Sequence, residues 1–151
     1  ALTSFENNPD ELFIDTYPHT IFTPHDGEFR RLFGDNIASM KDRVLKCVEA
    51  SKIAGSIVLL KGSDTVIANP KGEVVINFSK APYLATAGSG DVLAGIIASL
   101  VGKNKMNSFD AACAGAWIHS KLGEYLGPGL IAEDLVDNIP YIIKKLANYE
   151  I

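Results

Sequence analysis

The chain has 151 residues, of which 47% are hydrophobic and 21% are charged, so it has the length of one ordinary domain and enough apolar side chains for a core. Its 14 Lys and Arg against 18 Asp and Glu give a formal net charge of -4. No basic run is long enough to follow a phosphate backbone, which disfavours a nucleic acid polymer as partner and leaves a small molecule as the expected ligand.

Two features bear on cellular location. Cys47 and Cys113 lie far apart without CxxC spacing, which predicts buried, reduced thiols and a cytoplasmic protein. The first residues, ALTSFENNPDELF, have neither a basic n-region nor an apolar h-region, and the longest apolar runs are shorter than a membrane span. We therefore predict no membrane association.

The first half of the chain alternates between strand and helix patterns. HTIFTPH predicts a short strand, and EFRRLFG a short helix that ends at Gly34. Apolar residues at helical intervals predict one amphipathic helix through residues 36–55, with Gly55 as its C-cap. The apolar run SIVLLKG at residues 56–62 predicts a buried parallel strand.

The second half begins as a β-meander and becomes helical. DTVIANP and GEVVINF are β-rich runs joined by residues 70–72, which have the composition of a hairpin turn. Three helices follow from Ser89 onwards, the second capped by Ser108 and the third interrupted at Pro140. This order predicts an α/β layered fold, a mixed sheet of about four strands flanked by helices.

The turn AGSGD at residues 87–91 leads directly into an apolar helix. The first N–H groups of a helix lack intrahelical partners, and glycines allow an anionic oxygen to approach them. The turn fits neither GxGxxG nor the Walker pattern, which disfavours a Rossmann site and a P-loop. Two interpretations of Asp91 stay open. It either complements the helix dipole, or it is a general base beside a phosphate held on the N–H groups of Gly88, Ser89 and Gly90.

Three segments occur in the order and approximate spacing seen in the ribokinase-like superfamily: TPHDGEFRRL at 23–32, LLKGSDTVIANPKG at 59–72 and AGSGDVLAGIIASL at 87–100. Specifically, they resemble the ADP/ATP-dependent NAD(P)H-hydrate dehydratases. That family repairs NADH or NADPH hydrated on the nicotinamide ring, since a nucleotide phosphorylates the hydroxyl and loss of phosphate restores the double bond. The resemblance implies hydrated NADH or NADPH as substrate, ADP or ATP as phosphoryl donor, and Mg²⁺ held largely by the nucleotide phosphates.

The resemblance also implies roles for single residues. Asp91 would bind the hydrate and act as the base, His25 would contact the hydrated dinucleotide, and Glu28 would be the protein contact of the metal. His19 and His119 lie in no motif, and His119 is predicted to be an ordinary helix-face residue. The residues implied to contact the nucleotide are Lys61, Gly62, Ser63, Asp64, Thr65, Gly88, Ser89 and Gly90.

The chain departs from the family in two ways. Asp26 stands where the family usually has Pro, which brings a negative charge close to the implied phosphate site. Family domains are also considerably longer, and ALTSF resembles a segment that follows a central strand. We therefore predict that residues 1–151 form a single domain, the C-terminal portion of a longer ribokinase-like domain. A further segment of polypeptide, a partner or self-association would complete it, because an exposed sheet edge tends to pair with another chain.

Two other functions stay open at this stage. A ribokinase-like kinase for a vitamin precursor, such as a hydroxymethylpyrimidine or a hydroxyethylthiazole, would share the glycine turn and its aspartate, although TPHDGE and KGSDT are closer to the dehydratases. Alternatively, the chain is a catalytically incompetent nucleotide-binding module, because part of the substrate pocket is not encoded in it.

Overall fold

The computed structural model describes residues 2–5, 8–14 and 16–149. Residues 1, 6–7, 15 and 150–151 of the predicted domain lie outside that description. The strands are β1 (Ile21–Phe22), β2 (Ile57–Leu60), β3 (Asp64–Ala68) and β4 (Val74–Phe78). The helices are α1 (Pro9–Ile14), α2 (Asp26–Ala38), α3 (Arg43–Ala54), α4 (Ser89–Gly102), α5 (Ser108–Leu126) and α6 (Ala132–Ala147), with short 3₁₀ helices at Leu2–Phe5 and Pro82–Leu84.

The described strands form one mixed sheet in the order β1-β2-β3-β4. β1 is parallel to β2, with Phe22 opposite Val58. β2 and β3 are antiparallel, and so are β3 and β4, in which Thr65 lies opposite Asn77. The predicted mixed sheet and the predicted hairpin are therefore confirmed, and β2 is parallel to one neighbour and antiparallel to the other.

Helices cover both faces of this sheet, because successive side chains of a strand point to opposite sides. Val58 and Leu60 of β2 join a cluster with α2 and α3 that includes Phe29. Ile57 and Leu59 join a second cluster on the other face, with residues of α4 and α5. All four residues of β2 are buried, which explains why this run is continuously apolar rather than alternating.

A third cluster joins the last helices to α4. It contains Leu122 of α5 and Leu135 of α6, both fully buried, together with Ile96 of α4. α6 thereby packs against the start of α4, where an ideal Cβ on Gly88 would lie 2.9 Å from the Cβ of Ala132. Glycine at position 88 follows from this close approach and from its φ of 81°.

The prediction of one helix through residues 36–55 is wrong. α2 kinks at Gly34, whose φ of 75° and ψ of 168° are not helical, and it continues to Ala38. α3 then starts afresh, because Asp42 Oδ1 accepts the N–H of Val44 at 2.8 Å and that of Leu45 at 3.1 Å. The predicted C-cap at Gly55 is confirmed, with a left-handed φ of 59°.

Two details of the later helices are also corrected. The cap of α5 is Asn107, whose Oδ1 accepts the Phe109 N–H at 2.9 Å, and Ser108 is the first helical residue. α6 is not interrupted at Pro140 but continues through it. Buried Leu135 and Ile142 anchor the helix before and after the proline, and this packing offsets the backbone hydrogen bond that proline removes.

The two cysteines are free. Cys47 is buried, and its thiol lies 3.3 Å from the Val58 carbonyl oxygen, whereas Cys113 is only half-buried. Burial raises the pKa of both thiols to about 11, so both are neutral at pH 7. Among the described residues, no helix has the length and apolar character that crossing a membrane requires.

Candidate active site

A cavity of about 700 Å³ lies where β2 ends and α2 and α4 begin. Three of its walls are the three sequence motifs: the start of α2, the turn after β2 and the first turn of α4. The other walls come from the segment after β4 and from α5. The residues lining it are His25, Asp26, Gly27, Lys61, Gly62, Ser63, Thr65, Ser79, Ala81, Pro82, Leu84, Ala85, Thr86, Ser89, Gly90, Leu93, Ala116, His119 and Ser120.

His25 is fixed at the start of α2 by a reciprocal capping arrangement. Its Nδ1 accepts the N–H groups of Gly27 at 3.0 Å and Glu28 at 3.2 Å. The Glu28 carboxylate accepts the His25 N–H at 3.0 Å in return. Because Nδ1 is an acceptor, a neutral His25 carries its proton on Nε2. His25 Nε2 lies 3.6 Å from Glu28 Oε2, and the side chain of His25 is 55% exposed, so Nε2 faces both this carboxylate and the open cavity.

Lys61 connects two of the motifs. Its backbone N–H donates to the Pro24 carbonyl at 2.9 Å, and its Nζ lies 3.9 Å from Glu28 Oε2. An ideal Cβ on Gly90 would be 3.0 Å from the same Nζ. The ammonium group therefore lies between the start of α2 and the first turn of α4, and only 27% of the side chain is exposed.

The first turn of α4 has no side-chain cap. The N–H of Ser89 donates to the Thr86 carbonyl at 3.3 Å, and the N–H groups of Asp91 and Val92 donate to the Gly88 carbonyl. Within the described part of the chain, no backbone carbonyl accepts from the Gly90 N–H. The turn thus presents a backbone donor beside the Lys61 ammonium, an arrangement suited to an anionic oxygen.

His119 lines the cavity, although it lies in no motif and was predicted to be an ordinary helix-face residue. It is buried, and its Nε2 lies 2.9 Å from Ser89 Oγ and 3.0 Å from the Ser89 carbonyl oxygen. Burial lowers the pKa of His119 to about 4; the hydrogen bond to the Ser89 carbonyl partly opposes this effect, and the nearby Lys61 charge adds to it. The signal for its burial was its spacing from Ala112 and Ala116, which lie on the same helix face and are buried.

The predicted site residues take different places around the cavity. Seven of them line it: His25, Lys61, Gly62, Ser63, Thr65, Ser89 and Gly90. Glu28, Asp64, Gly88 and Asp91 are not in the lining. Glu28 contacts Lys61, Asp64 is the first residue of β3 and Gly88 is the N-cap of α4. Asp91 lies exposed on the first turn of α4, next to Gly90.

A set of three or more His, Cys, Asp or Glu side chains that could hold a metal ion does not occur among the described residues. Glu28 is already engaged by the His25 N–H and by Lys61. The site is therefore better suited to a cation that arrives bound to the phosphates of a ligand than to a cation held only by protein side chains.

The family is decided by comparison with known proteins. The family model described as NAD(P)H-hydrate dehydratase matches residues 1–144. The chain belongs to this family.

Among relatives of this dehydratase family, the ADP-dependent (S)-NAD(P)H-hydrate dehydratase of Neisseria meningitidis is 44% identical over 131 residues, which are 85% of this chain and 44% of that protein. The bifunctional NAD(P)H-hydrate repair enzyme of Methanopyrus kandleri is 37% identical over 143 residues, 91% of this chain and 27% of that protein. The chain therefore spans less than half the length of these relatives.

Solved structures show the same fold. The ADP/ATP-dependent NAD(P)H-hydrate dehydratase of Bacillus subtilis, co-crystallised with ATP and Mg²⁺, superposes with a TM-score of 0.75 at 29% identity and covers 83% of this chain and 48% of its own. A ribokinase-like superfamily protein from Enterococcus faecalis gives a TM-score of 0.78 at 25% identity, over 95% of this chain and 50% of its own. The predicted ribokinase-like α/β fold is confirmed, and the dehydratase family is favoured over the vitamin-precursor kinases.

Proposed function

We propose that this chain forms the nucleotide-binding portion of an ADP- or ATP-dependent NAD(P)H-hydrate dehydratase. The proposal rests on one observation: three motifs that are separated in sequence meet around one cavity. The Lys61 ammonium and the Gly90 N–H lie on one side of this cavity, and His25 lies on another. Most of the remaining lining is small or apolar, as in typical small-molecule pockets.

The nucleotide phosphates would lie against Lys61 and the first turn of α4. In phosphoryl transfer, fixed positive charge and N–H donors stabilise the charge on the moving group. Lys61 supplies the charge, and the Gly90 N–H supplies a donor at the positive end of the helix dipole. Gly62, Ser63 and Thr65 supply the polar wall beside them. Asp64 and Gly88 would act through the backbone of the two turns.

The hydrate would lie at the mouth of the cavity, between His25 and Asp91. The Asp91 carboxylate would accept the proton as the substrate hydroxyl attacks the terminal phosphoryl group. The C–O bond to the phosphate would then break as the adjacent ring carbon loses a proton to solvent, and the C–H electron pair would form the ring double bond. His25 is oriented for donation from Nε2 by its capping bonds. Capping and base catalysis are compatible for Asp91, because its side chain is exposed at the positive end of α4.

Mg²⁺ would arrive with the nucleotide, and Glu28, whose carboxylate lies 3.9 Å from the Lys61 ammonium, is the protein group that would contact it. Bound there, the ion would neutralise charge on the phosphate oxygens. Glu28 also pairs with Lys61, so it holds that ammonium in the absence of nucleotide.

The rest of the substrate pocket belongs to parts of the fold beyond these residues. We propose that residues 1–151 are the C-terminal portion of a ribokinase-like domain, completed by further polypeptide, a partner or a second copy. The short fraction of each relative that the chain covers supports this. A cytoplasmic location stays a prediction, supported by two neutral free thiols.

Restoration of NADH tests the proposed reaction. The chain is incubated with hydrated NADH, Mg²⁺ and ADP or ATP, and the return of NADH absorbance is followed. An Asp91→Asn variant should lose at least about a hundredfold in rate, the contribution of a general base, while its nucleotide affinity changes little. Turnover that survives in this variant would show that Asp91 is not the base.

A binding module without catalysis is the second candidate, favoured by the short span of the chain relative to the whole dehydratases. Nucleotide that raises the thermal midpoint of unfolding without any turnover would support it. Comparing ADP with ATP in both measurements also shows which nucleotide the site prefers.

A further inference from the structure

Asp26 contacts Arg43, the first residue of α3. The Arg43 Nη1 lies 3.1 Å from Asp26 Oδ1 and 3.2 Å from Oδ2. Asp26 occupies the first helical position of α2, where proline is also tolerated because that N–H has no intrahelical acceptor. The aspartate therefore keeps the helix start and adds a carboxylate that proline lacks.

The same guanidinium also contacts the turn that follows β2. Arg43 Nη2 donates to the Lys61 carbonyl at 3.1 Å. An ideal Cβ on Gly62 would lie only 2.5 Å from Nη2, so the guanidinium lies directly against the backbone at that glycine. The side chain is 29% exposed, and its Nε is buried without a hydrogen-bond partner among the described residues, so both Nη atoms carry the contacts of the guanidinium.

We propose that Arg43 is a positioning residue for the nucleotide turn and that Asp26 acts through it. The guanidinium joins the start of α2 to the carbonyl of Lys61 and fixes the backbone from which the Lys61 ammonium and the Gly62 and Ser63 N–H groups project. Arg43 also neutralises the charge that Asp26 brings to the cavity wall. This inference rests on the proposed role of the turn in nucleotide binding.

Arginine is required here by geometry. One planar group reaches a carboxylate and a carbonyl on two different segments, whereas a lysine ammonium on its flexible stem is a point charge without this fork. The Arg43→Lys variant keeps the charge and should still lose the link. That outcome separates positioning from a general electrostatic attraction of nucleotide.

The first arm of the test needs no ligand. Amide hydrogen exchange is measured for residues 61–65 in the unchanged chain and in the Asp26→Asn, Arg43→Gln and Arg43→Lys variants. Exchange should be about threefold to tenfold faster in each variant, because the turn opens locally more often, while α5 exchanges as before. Arg30→Gln is the matched control, since Arg30 pairs with exposed Asp35 at 3.4 Å on the same helix as Asp26.

The second arm measures the ADP dissociation constant. Asp26→Asn should weaken ADP binding about threefold to tenfold when Arg43 is present, with an unchanged thermal midpoint, and should not weaken it in the Arg43→Gln background. Tighter ADP binding by Asp26→Asn with Arg43 intact would mean that Asp26 acts only as a repulsive charge, and the proposal would be overturned. Exchange in residues 61–65 no faster than in Arg30→Gln would also overturn it. If the unchanged chain does not bind ADP, the proposed function fails, and the exchange arm still decides the link through Arg43.

Discussion

At the scale of single residues, the wall of the cavity depends on a neutral histidine beneath the first turn of α4. His119 Nε2 lies within hydrogen-bond distance of the hydroxyl and carbonyl oxygens of Ser89. In the neutral Nε2–H tautomer it donates to the carbonyl, which is only an acceptor. His119 thereby ties α5 to the turn that carries Gly90, and a second positive charge close to Lys61 would be costly there.

The stability of the chain should depend on the protonation of His119. Its pKa is lowered from 6.5 to about 4 in the folded protein. As pH falls through 6.5, the unfolded chain takes up a proton that the folded chain does not accept until about pH 4. The free energy of unfolding should therefore fall across this window, by about 3 kcal/mol from this one group.

Urea unfolding across the same pH window measures this effect, with His119→Gln as the comparison. The variant should be less stable near neutral pH and should show a weaker pH dependence. Glu124 contributes in the same direction, because its hydrogen bond with Lys121 lowers its pKa, but it is present in both proteins. If the free energy of unfolding depends on pH in the same way in the unchanged chain and in His119→Gln, His119 is not the group responsible.

Two glycines of α4, Gly90 and Gly95, provide a test of the Lys61 contact and its control. A Cβ at Gly90 would meet the Lys61 ammonium at 3.0 Å, the mobile end of a side chain, whereas a Cβ at Gly95 would meet nothing within 4 Å. Gly90→Ala should leave folding intact and displace the ammonium, weakening ADP binding by about tenfold. Gly95→Ala should leave binding unchanged and raise the free energy of unfolding by up to about 1 kcal/mol. If Gly90→Ala and Gly95→Ala change the ADP dissociation constant equally, the proposed contact between nucleotide and the Lys61 ammonium beside Gly90 is wrong.

At the scale of elements, short polar contacts decide where the helices start. Asp42 starts α3 after a break that the apolar periodicity did not reveal, and Asn107 starts α5 one residue before the expected cap. By contrast, α4 starts without a side-chain cap and leaves its first turn available to a ligand. The first turn of α4 carries Ser89 and Gly90, which line the cavity.

The cap of α5 can be tested by two neighbouring substitutions. Asn107→Ala should lower the free energy of unfolding by about 1 kcal/mol, because the Phe109 N–H loses its acceptor. Ser108→Ala should change it little, since Ser108 already has helical geometry. Chemical denaturation of both variants gives the comparison, and the reverse order of effects would restore Ser108 as the cap.

The sequence predicted those elements whose signals are local. The hairpin of β3 and β4, the glycine C-cap of α3 and the buried strand β2 each depend on a few adjacent residues. The break at Asp42 and the continuation through Pro140 were misjudged, because helix breaks and continuations depend on caps and tertiary packing, which periodicity does not report. His119 was overlooked because its partner Ser89 is 30 residues away, and only the packing of α4 on α5 brings them together.

At the scale of the whole molecule, the described sheet ends at two different edges. β1 has only two residues, while β4 is longer and carries exposed Val75, Ile76 and Phe78, the last 72% exposed. Long apolar edges tend to pair with another chain. The motifs correctly predicted the ribokinase-like fold, but they do not distinguish the two edges of the sheet.

Self-association through β4 is the expected behaviour of the isolated chain. Light scattering after size exclusion should give a mass above that of the monomer, and Phe78→Lys should reduce it, because a charged edge disfavours strand pairing. Tyr17→Lys is the control, since Tyr17 is also exposed but lies outside the strands. If the chain is a monomer at all concentrations, or if Phe78→Lys and Tyr17→Lys reduce the mass equally, β4 is not the edge through which the chain self-associates.

Calorimetric titration with ADP shows whether the three separate motifs build one site for adenine nucleotide. Lys61→Gln removes the charge between the motifs, while Lys52→Gln removes one that pairs with Glu49 on the exposed side of α3. The unchanged chain and Lys52→Gln should bind ADP equally, and Lys61→Gln should bind it at least about tenfold more weakly. A folded chain that does not bind ADP, or that binds it equally well without the Lys61 ammonium, would show that the three motifs do not form a nucleotide site.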